Sequence, residues 1–489
     1  LAVLPLENRG GFGDDLYYPD SVSEDLLNRL TGIDSLQVAS RRSSFAFRQD
    51  EIGALGLVEI GRRLGVSNLL SGYVLRRNDR LRVNLELVDV SSGREIVRWS
   101  NNYDDRPLAD MLIIQSDVTR AVAREFKREG LTRAEEDLIA RQSTRIPAAY
   151  DFYLQARTIL RSPLDDEVSL DRAADLFSRA VALDPDFVWA QAGLCATHVR
   201  AYHLARPFEP AREACGRLVE VEEDLFEVNL ALGNYFRDTG ELQKAANLLT
   251  RAVEQVPGSA DARIALAQLY ARQAYLSENE LDRVRAQEAF LEAMSVEPDY
   301  WYSYHEYGNY LIQVSRLDEA LEQMKIALTI EPGSAGTLTN YGNTLYRLGR
   351  SEEAEEAWTQ ALALSGSDRW AHEGLGVMYH YQQRYADAVE HLQAACDIFP
   401  DDHRLWGKLG ESQRLLPGSG AAARASFERA VALAEQDMQI DPNEWTTFGF
   451  LALYEGYLGA FKAAQAHLER MFELNPGGDP MTHYLSLIH

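Results

Sequence analysis

A glycine-rich stretch, Asn8-Arg9-Gly10-Gly11-Phe12-Gly13-Asp14, follows a strand-like run and precedes a helical one, where a phosphate cradle would sit. It lacks the Gly-Lys-Ser/Thr end of a phosphate-binding loop and the spacing of a dinucleotide fingerprint. Asp14 and Asp15 would also repel a phosphate, so the stretch reads as a plain loop. Pro332-Gly333-Ser334 and Pro417-Gly418-Ser419-Gly420 lack the Gly-x-Ser-x-Gly pattern of an exposed nucleophilic serine and read as turns between helices. The ten histidines show no metal-binding spacing. Only His372 and His380, two turns apart on one helical run, share a side, and hydrogen-bonded or solvent-facing imidazoles are the plainer reading. Of the three cysteines, Cys195 and Cys215 fall on facing helices of one hairpin, and Cys396 stands alone. The odd count and the absence of a paired spacing make all three read as reduced core thiols. No nucleophile–base pair, metal set or cofactor motif emerges. The expectation is a chain with no catalytic residues, no metal and no cofactor.

Composition narrows the partners. The formal charge of −26 repels phosphate backbones and anionic headgroups, which argues against nucleic acid. Cationic ligands and basic peptides stay open, and the plainer role of the charge is to keep a long chain soluble. No run approaches the roughly 18–20 apolar residues that span a bilayer, so no direct membrane insertion is expected. The chain starts without Met, directly on Leu1-Ala2-Val3-Leu4-Pro5-Leu6, and this suggests a fragment with an upstream portion missing.

The elements that would position any site announce themselves by a period. Pro298, Pro332 and Pro400 are 34 or twice 34 residues apart, Gly366 holds the intervening slot, and Pro442 and Pro476 are again 34 apart. With that proline at position 32, the copy starting at Trp301 has Tyr304, Tyr307, Gly308, Leu311, Ala320 and Ala327 at positions 4, 7, 8, 11, 20 and 27. The copy from Ala335 has Leu338, Tyr341, Gly342, Leu345, Ala354 and Ala361, with Trp358 at position 24. The copy from Arg369 has His372, Leu375, Gly376, Tyr379, Ala388, Leu392 and Ala395. Small residues at 8 and 20 suit a close helix approach, large ones at 4, 7, 11 and 24 fill the groove, and proline ends the second helix.

This pattern resembles the tetratricopeptide repeat, a stack of helical hairpins. The resemblance implies a mainly α fold: a right-handed solenoid of nine hairpins between 147 and 477, with looser copies at both ends and a short tail at 478–489. The copy Ala260–Pro298 carries seven extra residues (Leu276–Asp282), and the second helix of the copy from His403 is about two turns longer (Ala434–Ile440). In such solenoids first-helix positions 2, 5, 9 and 12 line the concave surface. Position 9 is Asn234, Asn309 and Asn343, residues able to both donate to and accept from an extended peptide backbone. Other groove candidates are Arg237, Tyr302, His305, Asn340, Tyr346, Trp370, His380, Arg404 and Arg414, since aromatic and arginine side chains dominate interface energetics. The carboxylate-clamp subclass places lysine and arginine where this chain has His305, Trp370 and Gly374, so a C-terminal acidic peptide does not fit.

Residues 1–130 have another rhythm. Alternation marks strands at Leu1–Leu6, Leu36–Ala39, Ser67–Arg76, Arg80–Val90 and Arg94–Asn101, with a tight turn at Asn78-Asp79. Helical spacing covers Tyr18–Leu30, with Ser21 and Glu24 placed as a capping box, then Ala54–Leu64 closed by Gly65, and Leu108 to about Phe126. A charged linker at 131–146 leads into the first hairpin. Leu1-Ala2-Val3-Leu4-Pro5-Leu6-Glu7-Asn8, Ser23-Glu24-Asp25-Leu26-Leu27-Asn28-Arg29-Leu30, Arg42-Ser43-Ser44-Phe45-Ala46-Phe47 and Glu59-Ile60-Gly61-Arg62-Arg63-Leu64-Gly65-Val66 resemble the domain related to the TolB amino-terminal domain and FlgO-type envelope proteins. The glycine-rich loop departs from that family, whose members carry a more polar segment there. The resemblance implies a small α/β, mixed-sheet domain. In bacteria this pair of domains usually follows an adenylate cyclase, a winged-helix regulator or a protein kinase, often across a single membrane span.

The expected function is therefore a non-catalytic scaffold that binds a protein or peptide segment, the sensory or interaction region of a bacterial signalling protein. A stand-alone envelope assembly factor is the alternative, and a hydrolase the remote third. A homodimer is left open, as is a periplasmic or cytoplasmic placement.

Overall fold

The computed structural model describes residues 1–10, 17–33, 36–39, 41–47, 49–77, 80–127, 129–140, 144–160, 167–203, 207–221, 224–277, 279–440 and 444–475. The loop at 11–15, the turn at Asn78-Asp79, Pro442, Pro476 and the tail at 478–489 lie outside them. The chain divides into two compact units, Leu1–Pro332 and Gly333–His489.

The first unit opens on a mixed sheet. Strands β1 (Ala2–Val3) and β2 (Glu7–Asn8) both run parallel to β3 (Asn68–Arg77), which pairs antiparallel with β4 (Arg80–Asp89) and that with β5 (Ile96–Pro107). Alternation in β4 turns Leu81, Val83, Leu85 and Leu87 into one core, shared with helices α1 (Tyr17–Thr31) and, later in the chain, α5 (Met111–Phe126). The opposite face packs Leu69 and Val88 on Ile60. Helix α2 (Arg41–Phe45) puts Phe45 into the first of these cores, and α3 (Gln49–Leu55) and α4 (Leu57–Leu64) pack on the second. Gly65 closes α4 at φ 65, a left-handed cap open to glycine at no steric cost. Helix α6 (Arg133–Ala140) occupies part of the expected linker.

Three local expectations are corrected. Ser21 and Glu24 are buried within α1 rather than capping it, because the helix begins four residues earlier than Ser21. Leu36–Ala39 forms no strand, although the Ala39 amide donates to Leu1 O and the amino terminus to Gln37 O. The helix expected over Ala54–Leu64 is broken at Gly56, whose φ is 75.

Five hairpins follow in this unit: α7 (Pro147–Leu160) with α8 (Glu167–Leu183), α9 (Val188–His203) with α10 (Glu209–Val219), α11 (Phe226–Asp238) with α12 (Leu242–Gln255), α13 (Ala260–Ser277) with α14 (Glu280–Val296), and α15 (Trp301–Gln313) with α16 (Leu317–Ile330). The extra residues of the fourth lengthen both of its helices. Hydrophobic residues of the sheet, α1, α5, α7, α8 and α9 make one continuous core. The first hairpin is held to α1 by polar contacts as well. Arg157 Nη1 lies 2.6 Å from Asp25 Oδ1 and Nη2 3.1 Å from Glu24 Oε1; the Tyr150 hydroxyl donates to Asp25.

Cys195 and Cys215 form a disulfide, which overturns the reduced-thiol expectation. They sit on the facing helices α9 and α10 with Cα atoms 4.7 Å apart, inside the range a disulfide spans. Cys396 is a buried free thiol, its pKa pushed up by burial to about 12.

The second unit holds four hairpins: α17 (Ala335–Arg347) with α18 (Ser351–Leu364), α19 (Arg369–Tyr381) with α20 (Tyr385–Ile398), α21 (His403–Leu415) with α22 (Gly420–Ile440), and α23 (Trp445–Tyr457) with α24 (Phe461–Leu474). The position-8 glycines have the packing reason expected of them. A Cβ on Gly342 would lie 2.7 Å from Trp358 Nε1, and one on Gly374 would lie 2.6 Å from Trp358 Cε2, so the indole is wedged between two helix backbones.

Candidate functional site

First helices carry the candidate residues, and in the second unit each starts on a side-chain cap. Ser334 accepts from the Thr337 amide, Asp368 from Trp370 and Ala371, Asp402 from Arg404, and Glu444 from Thr446. Capping satisfies orphan amides and fixes where each helix starts, and hence which residues fall at positions 2, 5, 9 and 12.

In the first unit the inner positions are tied to each other. Arg237 donates from Nε to Asp238 (2.8 Å) and from Nη1 to Asn234 Oδ1 (2.8 Å) and Gln268 Oε1. Gln268 Nε2 donates to Glu306 Oε2 (2.8 Å), and His203 Nε2 stands 2.6 Å from Asp238. Side chains of α9, α11, α13 and α15 are thereby bridged in series. Burial pushes the Asp238 carboxyl up, but hydrogen bonds and charge from His203 and Arg237 outweigh it and hold it at about 2. Arg237 departs from the groove role expected of it: it is buried, with its guanidinium engaged by α11 and α13. Tyr302 stacks on His305 at 5.9 Å, and Asn309 Nδ2 lies 3.0 Å from His305 Nε2. Asn234 Nδ2 donates to Leu230 O.

In the second unit the pattern is more open. Asn340 and Tyr346 are half-buried, with the Tyr346 ring 5.7 Å from Trp358. Asn343 Oδ1 accepts from the Trp358 indole (3.1 Å), so this asparagine orients a core ring. Trp370 is 44% exposed, and the Arg369 guanidinium sits 3.7 Å over its ring. Arg404 is exposed and grips Asp402 through Nε and Nη2, each at 3.1 Å. Burial raises the Asp402 carboxyl, but Arg404 and Arg369 hold it at about 2. His380 Nδ1 contacts Ser412 Oγ at 2.9 Å; burial, then Arg414, lower its pKa. Exposed Arg414 stacks 5.1 Å over Tyr457, whose hydroxyl donates to Glu411. His372 and His380 do not meet: His372 Nδ1 faces His391 Nδ1 on α20 at 3.0 Å.

Several residues of this face escaped sequence reasoning. Tyr381 is 45% exposed, Lys408 bridges to Glu373 at 2.6 Å, and Glu411 holds position 9 of α21. Burial raises the Glu411 carboxyl pKa, against the pull of Tyr457, Arg414 and Lys408. Reading position 9 in every copy, instead of following asparagine alone, would have found Glu411. Among the described residues, no group of three or more His, Cys, Asp or Glu could hold a metal ion, and no helix is long and apolar enough to cross a membrane.

Comparison with known proteins bears on this arrangement. Residues 226–269 and 333–401 match tetratricopeptide repeat models. A putative adenylate cyclase 3 from Rhizobium meliloti (strain 1021) is 30% identical over 194 residues, 40% of this chain and 32% of that protein. Superkiller protein 3 from Schizosaccharomyces pombe is 30% identical over 102 residues, 21% of this chain and 7% of its own length. The chain thus spans less than a third of each of these curated relatives. Among solved structures, the Cut9–Hcn1 hetero-tetramer of APC/C is 17% identical, with 78% of this chain and 75% of that one covered and a TM-score of 0.46. The chain carries tetratricopeptide repeats, and these make it a protein-interaction scaffold.

Proposed function

We propose that this chain is the peptide- or protein-binding, sensory part of a bacterial signalling protein, with the first helices of the second unit as its binding face. The observation that carries the site is the pair of exposed rings, Trp370 and Tyr381, at the two ends of one first helix, with the exposed side chains Arg404 and Arg414 at the two ends of the next. Rigid aromatic and arginine groups that are half in solvent supply interface energy at low ordering cost. Likeness to the putative adenylate cyclase supports the signalling context and a cyclase output. The amino-terminal sheet and the motifs around Ser23–Leu30 and Glu59–Val66 support the TolB- or FlgO-like reading of residues 1–130.

A second reading, an envelope assembly adaptor, is favoured by the Cys195–Cys215 disulfide, since such bonds persist outside the reducing cytoplasm. Both readings share the binding face. Peptides retained by the purified chain from a random display library test it: binding of the selected peptides should weaken at least tenfold in W370A/Y381A while thermal stability holds. Unchanged affinity would remove the site from consideration. An upstream cyclase, kinase or winged-helix module in the full gene separates the two contexts.

A further inference from the structure

The fourth hairpin departs from its neighbours at its tip and along its outer side. Helices α13 and α14 have 18 and 17 residues, against 13 and 14 in α15 and α16, and the added turns carry the exposed side chains of Tyr275, Leu276 and Leu281. The inner side of α14 follows the repeat, with Ala286, Phe290 and Ala293 buried as Ala320, Met324 and Ala327 are on α16. Aligned on those residues, its outer side does not. Val284 and Leu291, 43% and 47% exposed, stand where α12 has Gln243 and Thr250, α16 Asp318 and Lys325, and α18 Glu352 and Thr359. Neither position holds a large apolar residue in any other second helix. Leu281, Val284, Glu288 and Leu291 are spaced by three, four and three, the interval that keeps side chains on one seam facing another helix. Large apolar groups gathered in water on one stripe mark a docking surface, where a single exposed leucine would not.

We infer that this stripe of α14 docks an amphipathic helix of a partner protein, one that presents lysine or arginine within its own apolar seam. The charge of the stripe sets that requirement. Arg283 and Arg285 are already paired with Glu280 and Asp282, and Glu292 lies 3.7 Å from Arg263. Glu288, exposed within the seam, has no ion pair among the described residues. A helix laid over Leu281, Val284 and Leu291 takes water from that carboxylate, and only a cation of the partner makes good the loss. A second copy of the chain does not supply one. Pairing the stripes antiparallel about a two-fold sets Glu288 against Val284, and pairing them parallel sets Glu288 against itself. An anionic membrane surface is repelled by the same carboxylate and by the formal charge of −26. The seam is about three turns long, and a partner helix of that length meets it through apolar anchors at the same spacing. The inference does not depend on the face formed by α19 and α21.

Selection on the whole chain from a displayed library of helical peptides, about three heptads long with the seam positions randomised, tests the inference. Peptides retained by the parent but not by V284E/L291E should have apolar seams with lysine or arginine at the central position. Their affinity for E288K should fall about tenfold or more, and the same library selected on E288K should return glutamate or aspartate there. Circular dichroism melts check the folding of each variant. E288K changes one exposed side chain that has no ion pair to lose, so it decides alone should V284E/L291E fail to fold. The inference is overturned if no retained peptide depends on Val284 and Leu291, or if the central position shows no preference for a cation. It is overturned equally if E288K selects the same peptides as the parent, or if sedimentation shows V284E/L291E only dissolving a dimer of the chain.

Discussion

Replacing Arg157 with methionine should loosen the join between the sheet and the first hairpin, and by a predictable amount. The guanidinium, 15% exposed, contacts two carboxylates on α1 that are each only 4% exposed, Asp25 at 2.6 Å and Glu24 at 3.1 Å. Removing it leaves both acids in a medium that solvates them poorly. Breaking a buried pair from one side typically costs 3–5 kcal/mol; Asp25 keeps the Tyr150 hydroxyl, and the site is not fully dry, so about 3 kcal/mol is expected. Replacing all three charges, as in E24Q/D25N/R157M, removes the desolvation cost along with the attraction and should recover most of that loss. Native-state hydrogen exchange is the suitable assay, because it reads opening segment by segment where a repeat array need not unfold in one step. Amides of α1 and α7 should exchange roughly 100-fold faster in R157M, the equivalent of about 3 kcal/mol. Exchange within threefold of the parent, or a triple variant as labile as the single one, would refute the reasoning.

Two further outcomes follow from the second unit. Gly342→Ala should lower its stability by about 1–3 kcal/mol in thermal melts, despite alanine's better helix propensity, because the added Cβ lands 2.7 Å from a buried indole; adding Trp358→Leu should relieve the clash, and a stabilised G342A would contradict it. His403 is held by burial at about 4, against the pull of Asp402, and below its ordinary 6.5, so the fold favours the neutral ring. Its contribution is complete above 6.5 and fades as pH falls toward 4, by about 3 kcal/mol over that span; Asp402, at about 2, stays ionised throughout. Chemical denaturation of H403Q against the parent should therefore show a shallower loss between those pH values, and parallel curves would count against it.

The repeats were legible because their rule is local. A glycine at 8, a small residue at 20 and a large one at 24 meet within one hairpin, so a window of 34 residues holds both partners of each contact, as Gly376 and Leu392 do at 2.6 Å from the missing Cβ. What the sequence concealed were partners at long range. Glu24 has the spacing of a capping box with Ser21, but its cation is Arg157, 133 residues away. Arg237 at position 12 looks like a groove residue until Gln268, 31 residues on, is seen to take its Nη1. Cys195 and Cys215 could be put on facing helices from the period, but the bond depends on a 4.7 Å Cα separation that no spacing encodes.

The two sets of inner residues differ in a way that bears on where binding energy can come from. On α11, α13 and α15, the donors and acceptors already satisfy each other through Asn234, Arg237, Gln268 and Glu306. A ligand there must break a hydrogen bond for each one it makes, and a buried group left unmatched costs more than the exchange returns. On α19 and α21 the polar groups are paired too, Glu373 with Lys408 and Asp402 with Arg404, but Trp370 and Tyr381 keep large ring areas in water. Covering those rings releases water without undoing any pair, while the exposed Arg404 and Arg414 keep donors free to orient an incoming chain. Affinity should therefore come from rings and direction from arginines, while the asparagines of position 9 are already engaged, Asn234 by Arg237 and Asn309 by His305 of the same helix and Asn343 by Trp358 of its hairpin partner.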